Sequence, residues 1–159
     1  LAKLAKTKGY QVDEKDSWEV LFHKIYLNEV VPKFPTNKPL IIYDYPVQLA
    51  ALAAKKKETD PRFVERFEVY IAGIELADCC TELTDWQEQK KRFEEELRLR
   101  TQLGKPAYPI DEEFIEALKV GMPRAGGIAV GVDRLIMLFA DVADIADTMF
   151  FPAKELFEQ

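Results

Sequence analysis

The sequence predicts an α+β fold, an antiparallel sheet flanked by helices, and three observations carry that prediction. Residues 67–76 alternate large apolar side chains with polar or smaller ones on either side of Ala72-Gly73, the pattern of two strands joined by a tight turn. Periodic, capped helical segments lie on both sides of it. Strands and helices do not follow the regular βαβ alternation that a parallel sheet needs. The size agrees, since 159 residues with 48% hydrophobic and 31% charged side chains suffice for one domain with a real core. Residues 1–159 are therefore taken as a single domain, with 1–39 as a helix and linker.

Composition also excludes functions. Lys and Arg number 22 against 28 Asp and Glu, a formal charge of -6, and no basic block is long enough to track a nucleic-acid backbone. No apolar stretch approaches the ~18 to 20 residues of a membrane span, and the lysine-rich opening lacks an apolar signal core, so a soluble, cytoplasmic protein without membrane partners is expected. Cys79 and Cys80 are adjacent, which disfavours an ordinary disulfide, and both are expected as thiols. The chain begins with Leu1, and upstream sequence is expected to be missing.

Element by element, Asp16 with Glu19 three positions on signals a helix start, and Trp18, Leu21, Phe22, Ile25 and Tyr26 form one apolar stripe ending before Pro32. His23 lies off that stripe and is expected on the surface. After a proline-rich loop, Leu40, Ile41, Ile42 and Tyr43 have the length of one buried strand. Residues 47–54 fit one or two helical turns, and 55–57 a solvated lysine loop. The hairpin occupies residues 66–83. Thr84 with Gln87 predicts a helix through about Leu103, supported by Glu88/Arg92, Glu94/Arg98 and Glu96/Arg100 at i, i+4 and stopped by Gly104 and Pro106. Asp111 can cap a helix carrying Phe114, Ile115 and Leu118 that stops at Gly121. Residues 128–132 read as a strand, followed by Asp133 as a plausible cap and an apolar helix over 135–140.

With Ala72 and Gly73 as the two turn residues, Ile71 pairs with Ile74, Tyr70 with Glu75 and Glu68 with Ala77. Glu68 and Glu75 then share a face as diagonal neighbours, while Phe67, Val69, Ile71, Ile74 and Leu76 are expected to face the core. Two carboxylates so placed repel unless a cation lies between them, and Mg²⁺ favours one or two carboxylates completed by substrate phosphates. The ordinary alternative is a solvated sheet face with two glutamates. In Gly127-Ile-Ala-Val-Gly-Val-Asp-Arg134 the large residues Ile128, Val130 and Val132 are expected toward the core, and Ala129 and Gly131 leave the other face open for a ligand or a backbone. Arg134 falls in the first helical turn, where the helix dipole disfavours a cation unless an anion or stacked ring offsets it. Tight strand packing beside an exposed arginine is the alternative there.

Together, Arg66-Phe-Glu-Val-Tyr-Ile-Ala-Gly-Ile-Glu-Leu-Ala-Asp78, Thr81-Glu-Leu-Thr-Asp85 and Gly131-Val-Asp-Arg134-Leu resemble the C-terminal catalytic part of class II lysyl-tRNA synthetases, the last being motif 3 of that class. The resemblance runs from about Leu40 to Pro152. It is closest to the branch of short paralogues that attach β-lysine to a lysine of elongation factor P, through Ile74-Glu-Leu-Ala, Thr81-Glu-Leu-Thr-Asp and Glu116-Ala-Leu-Lys-Val-Gly-Met-Pro123.

What the resemblance implies is specific. The fold would be the C-terminal portion of a class II antiparallel catalytic domain, incomplete because motifs 1 and 2 are not found. Glu68 and Glu75 match the acidic residues that hold Mg²⁺ and ATP, and Gly131 and Arg134 the motif 3 residues at the adenine. Asp78, Glu82 and Ala129 match the amino-acid site, Glu82 as the carboxylate that receives the substrate's side-chain ammonium. Ala129 stands where tRNA-charging relatives usually carry glycine. Asp78-Cys79-Cys80 replaces the family's Asn-Gly-Phe, removing the aromatic that packs lysine methylenes. Glu75 and Asp78 also differ in strand parity, so one site holding both needs a bulge or kink. The implied activity is ATP-dependent adenylation of lysine or β-lysine, with elongation factor P as acceptor and tRNA as the alternative, in a protein that is a homodimer when complete. The 159 residues alone would then be inactive. A non-catalytic binding module descended from a synthetase is the remaining reading.

Overall fold

In the computed structural model, which describes residues 1–55, 60–153 and 156, the strands form an antiparallel sheet in the order β1-β2-β3-β4. The elements are α1 (Ala2–Thr7), α2 (Trp18–Ile25), β1 (Leu40–Pro46), β2 (Phe63–Ile71), β3 (Ile74–Thr81), α3 (Trp86–Gln102), α4 (Glu112–Val120), β4 (Gly126–Val130) and α5 (Val132–Ala140). A π-helical turn, Tyr26–Val30, and a 3-10 turn, Val31–Lys33, extend α2 to the proline. The α+β class and the antiparallel sheet are as the sequence predicts. The chain forms two compact units, residues 1–42, 67–78 and 128–159 in the first, 43–66 and 79–127 in the second. No helix among the described residues is long and apolar enough to cross a membrane.

The hairpin turns where the sequence places it. Ala72 (φ 52°) and Gly73 (φ 78°) both hold left-handed backbone, the I′ form of a two-residue reversal between twisted strands. Which face is covered differs in part from expectation: Glu68 and Tyr70 are buried, whereas Phe67 is 38% exposed and Val69, Ile71 and Ile74 are half-buried; Leu76 is buried as expected. The cause lies in the N-terminal segment, whose rings run from Trp18 to Phe22 and Tyr26, then through Phe34 edge-on to Tyr70 at 4.9 Å between centroids. Alternation fixes parity; the aromatic run decides which parity is covered.

Several other expectations need correction. β1 is the terminal strand of the sheet, and Ile41 and Tyr43 are exposed rather than buried. Residues 47–49 form one 3-10 turn. Lys55 pairs with Glu88 at 2.8 Å, while 56 and 57 of the expected lysine loop lie outside the described residues. The cap of α2 is Ser17, whose side chain accepts from Val20 N; Asp16 instead takes the Lys24 ammonium, which holds its carboxyl below the usual range. His23 is exposed, as expected. Asp85, not Thr84, caps α3, accepting from two backbone N–H groups with a full charge that suits the helix dipole. Glu88–Arg92 forms, but Arg98 pairs with Glu95, and Arg100 stacks on Tyr108 while Tyr108 Oη donates to Glu96. α4 is capped by Asp111 and stopped at Gly121, as predicted. Gly131, not Asp133, precedes α5; β4, the other terminal strand, leaves Ile128 and Val130 exposed, and Val132, which falls in α5, is exposed too.

The turn supplies a direct test. A Cβ on Gly73 meets only Thr36 Cγ2 at 3.7 Å, so space is not the obstacle and backbone strain alone acts. Gly73→Ala is expected to destabilise the protein by about 1–2 kcal/mol in urea unfolding, the cost of left-handed alanine. Ala72→Asn, which tolerates that backbone, is expected to be neutral or stabilising.

Candidate functional site

In the first unit, the even-numbered face of β2 carries an acidic side chain under cover. Glu68, 6% exposed, accepts a 2.6 Å hydrogen bond at Oε2 from the Tyr70 hydroxyl, itself 5% exposed. Burial, then the neighbouring Glu68 carboxylate, pushes the Tyr70 hydroxyl well above its usual pKa. The two-residue turn puts half-buried Glu75 on the same face of β3 as Glu68. Among the described residues no group of three or more His, Cys, Asp or Glu forms a metal cage. Two carboxylates, one of them buried, are nevertheless a donor set that Mg²⁺ accepts when phosphate oxygens complete its shell.

Arg134 is joined to this pair through the backbone. Gly131 N donates to Leu76 O at 2.9 Å, docking the end of β4 against β3, and α5 begins at the next residue. Arg134, in the first turn of α5, donates from Nη1 to Glu75 O at 2.7 Å. Gly131 makes room for it, since a Cβ there would stand 3.3 Å from Arg134 Cδ, closer than side chains normally pack. The guanidinium borders an open cleft of about 620 Å³, lined also by Ile74, Met137, Ala143, Asp144 and Ile145. Counting along β3 and β4 from the Leu76–Gly131 bond sets Ala129 opposite Asp78. Ala129 is exposed and Asp78 half-buried.

In the second unit, Glu82 follows β3 directly. Its backbone N donates to Ala125 O at 2.9 Å, and Ala53 pairs with it on its other side. The Cys80 thiol donates weakly to Glu82 Oε2 at 3.8 Å. A Cβ on Gly127 would overlap Glu82 Oε1 and come 3.1 Å from Cδ, so the carboxylate rests where only a glycine leaves space. Cys79 and Cys80 are free thiols, as the sequence predicts.

Sequence reasoning missed the contributions of Tyr70 and Gly127. Tyr70 sits two residues from Glu68, which on a strand means one face, and that signal was available. Gly127 was legible as half of a glycine pair entering a strand, but nothing local linked it to Glu82.

Comparison with known proteins adds to this geometry. A family model described as tRNA synthetases class II (D, K and N) matches residues 22–155. The chain is 44% identical over 140 residues to an elongation factor P--(R)-beta-lysine ligase of Proteus mirabilis, covering 88% of this chain and 43% of that protein. It is 46% identical over 139 residues to the corresponding ligase of Photorhabdus laumondii, covering 87% and 42%. Against a lysine--tRNA ligase of Pelotomaculum thermopropionicum it is 40% identical over 144 residues, covering 91% and 28%. The chain thus spans less than half the length of these curated relatives.

The Tyr70–Glu68 pair has a pH signature. A hydroxyl kept neutral in the fold but free to ionise when unfolded contributes stability that is complete below about pH 10 and is lost as pH rises beyond it. Urea unfolding between pH 9 and 11.5 is expected to show an alkaline decline that is shallower in Tyr70→Phe by up to about 1.4 kcal/mol per pH unit, one proton's worth. Tyr10 and Tyr108, also raised, contribute alike in both proteins.

Proposed function

This chain belongs to the class II tRNA synthetases of the D, K and N group, and from that membership we propose that the full-length protein activates a lysine-type amino acid with ATP, forming its adenylate. The observation that carries the substrate choice is the placement of Glu82. Within a group that handles aspartate, lysine and asparagine, a site for aspartate needs a cation where the side chain ends, and a site for lysine needs an anion. Glu82 supplies an anion, half-buried and seated against bare Gly127.

The rest of the chemistry follows from charge. An oxygen of the amino-acid carboxylate attacks the α-phosphorus of ATP, the bond to the bridging oxygen breaks, and pyrophosphate leaves. Glu68 and Glu75 would hold Mg²⁺, which supplies neutralisation of the phosphate charge. Arg134, fixed by the Glu75 carbonyl, presents a planar cation beside the 620 Å³ cleft, suited to stack on adenine. Asp78 and Ala129, opposite one another, would border the α-amino end of the amino acid, which requires β3, continuous over Ile74–Thr81, to kink between Glu75 and Asp78 because the two differ in parity.

The acceptor we assign is a lysine of elongation factor P, with lysine or β-lysine as the transferred group. Identities of 44% and 46% to two ligases of that name favour it over the tRNA acceptor, for which the cited relative is 40% identical. We take the full-length protein to be cytoplasmic and homodimeric. Adenylation also needs donors at the α-phosphate, and we assign these to parts of the protein outside the 159 residues, so the piece alone is proposed to be inactive.

Two variants of the full-length protein test the site. Glu75→Gln keeps the backbone carbonyl that holds Arg134 and removes one metal-facing charge; ATP–pyrophosphate exchange is expected to fall at least tenfold, about 1.4 kcal/mol. Undiminished exchange at low Mg²⁺ would remove Glu75 from the site. Ala129→Gly removes one methyl beside the amino group, and the adenylation rate of α-lysine relative to β-lysine is expected to rise about tenfold, within the ~1 to 3 kcal/mol of a methylene mismatch. An unchanged ratio would remove Ala129 as the discriminator.

A further inference from the structure

Glu82 is only as well placed as the backbone around it, and that backbone is held by a short segment wedged between two strands. Leu83 N donates to Leu52 O at 2.9 Å, Ala54 N donates to Thr81 O at 2.8 Å, and Ala53 bridges Glu82 itself. On its other edge the segment takes Glu65 N at Ala54 O, 2.9 Å. It is reached through Ala51, which holds a left-handed backbone (φ 44°) that alanine adopts only at a cost. What fixes it is a guanidinium: Arg92 on α3 donates from Nη1 to both Ala51 O (2.8 Å) and Ala53 O (3.0 Å), and from Nε to Glu88 (3.1 Å). Lys55, at the end of the same segment, pairs with Glu88 at 2.8 Å.

We infer that Arg92 is a positioning residue for the amino-acid site: through the carbonyls of Ala51 and Ala53 it sets the segment that clamps the backbone of residues 81–83, and so fixes where the Glu82 carboxylate meets the substrate's ammonium. This rests on the reading of Glu82 given above. A lysine at position 92 keeps the charge but offers a point donor, unable to hold two carbonyls and a carboxylate in one plane. Stability alone accounts poorly for the arrangement. Arg92 Nη2 and Gln89 Nε2, one turn earlier, are buried without an acceptor among the described residues, an expense that a simple structural tie would not need.

The test compares Arg92→Lys and Glu82→Gln in the full-length protein by pyrophosphate exchange, with amide hydrogen exchange at Leu83 and Ala54. Glu82→Gln is expected to raise KM for the lysine-type amino acid at least tenfold; an unchanged KM overturns the reading of Glu82 itself. Arg92→Lys is expected to raise the same KM at least fivefold, leave KM for ATP within twofold, and speed exchange at both amides at least tenfold. A purely structural role would lower the active fraction, and so kcat, without moving that KM. If Glu82→Gln raises KM and Arg92→Lys does not, the positioning role is wrong while the function stands. Should Arg92→Lys fail to fold, Glu88→Gln, which frees the guanidinium from its anchor, carries the test with the same readouts and an expected threefold rise in KM for the amino acid; no rise overturns the inference.

Discussion

The two-residue reversal between β2 and β3 is of the I′ form, with both central residues in left-handed backbone, Ala72 at φ 52° and Gly73 at φ 78°. That constraint sets the register of β2 against β3, and with it the sharing of a face by Glu68 and Glu75. A slip of one residue would send one carboxylate to the opposite side. The register also presents Leu76 O to Gly131 and Glu75 O to Arg134, so the start of α5 is fixed by the strand that carries Glu75. The two carboxylates, the cleft and the guanidinium are thereby tied to one turn.

The second unit solves a different problem with the same strands. Residues 52–55 lie between the start of β2 and the end of β3, and cross-strand bonds on both edges replace the direct pairing of those strands. The inserted segment is irregular, with alanine forced to φ 44°, and needs an external tie; α3 supplies it through Arg92 and Glu88. The Glu82 carboxylate is confined by this backbone and by the close approach of Gly127, which suits the ammonium-binding role proposed for it.

What was legible in the sequence is what depends on neighbours in the chain. The turn, α4 with its Asp111 cap, and the pairing of Glu68 with Glu75 by parity all rest on contacts within a few residues. Caps were misassigned where two competent residues adjoin, as with Asp16-Ser17 and Thr84-Asp85, because the choice depends on where the first helical turn starts. The covered face of the hairpin was not legible: alternation cannot tell which side Trp18, Phe22 and Phe34 will occupy. Ile128 and Val130 show the same gap on β4. Contacts such as Gly127 to Glu82 and Arg92 to Ala51 join residues about 40 apart, beyond any local pattern.

The central claim is that this member of the D, K and N synthetases uses Glu82 to select a lysine-type substrate for adenylation. The most direct measurement is ATP–pyrophosphate exchange by the full-length protein with Mg²⁺ and, separately, α-lysine, β-lysine, aspartate and asparagine. Exchange is expected with a lysine isomer, abolished when the terminal ammonium is replaced by a methyl, and none with aspartate or asparagine. Exchange driven by aspartate or asparagine, or by none of the four, would contradict it.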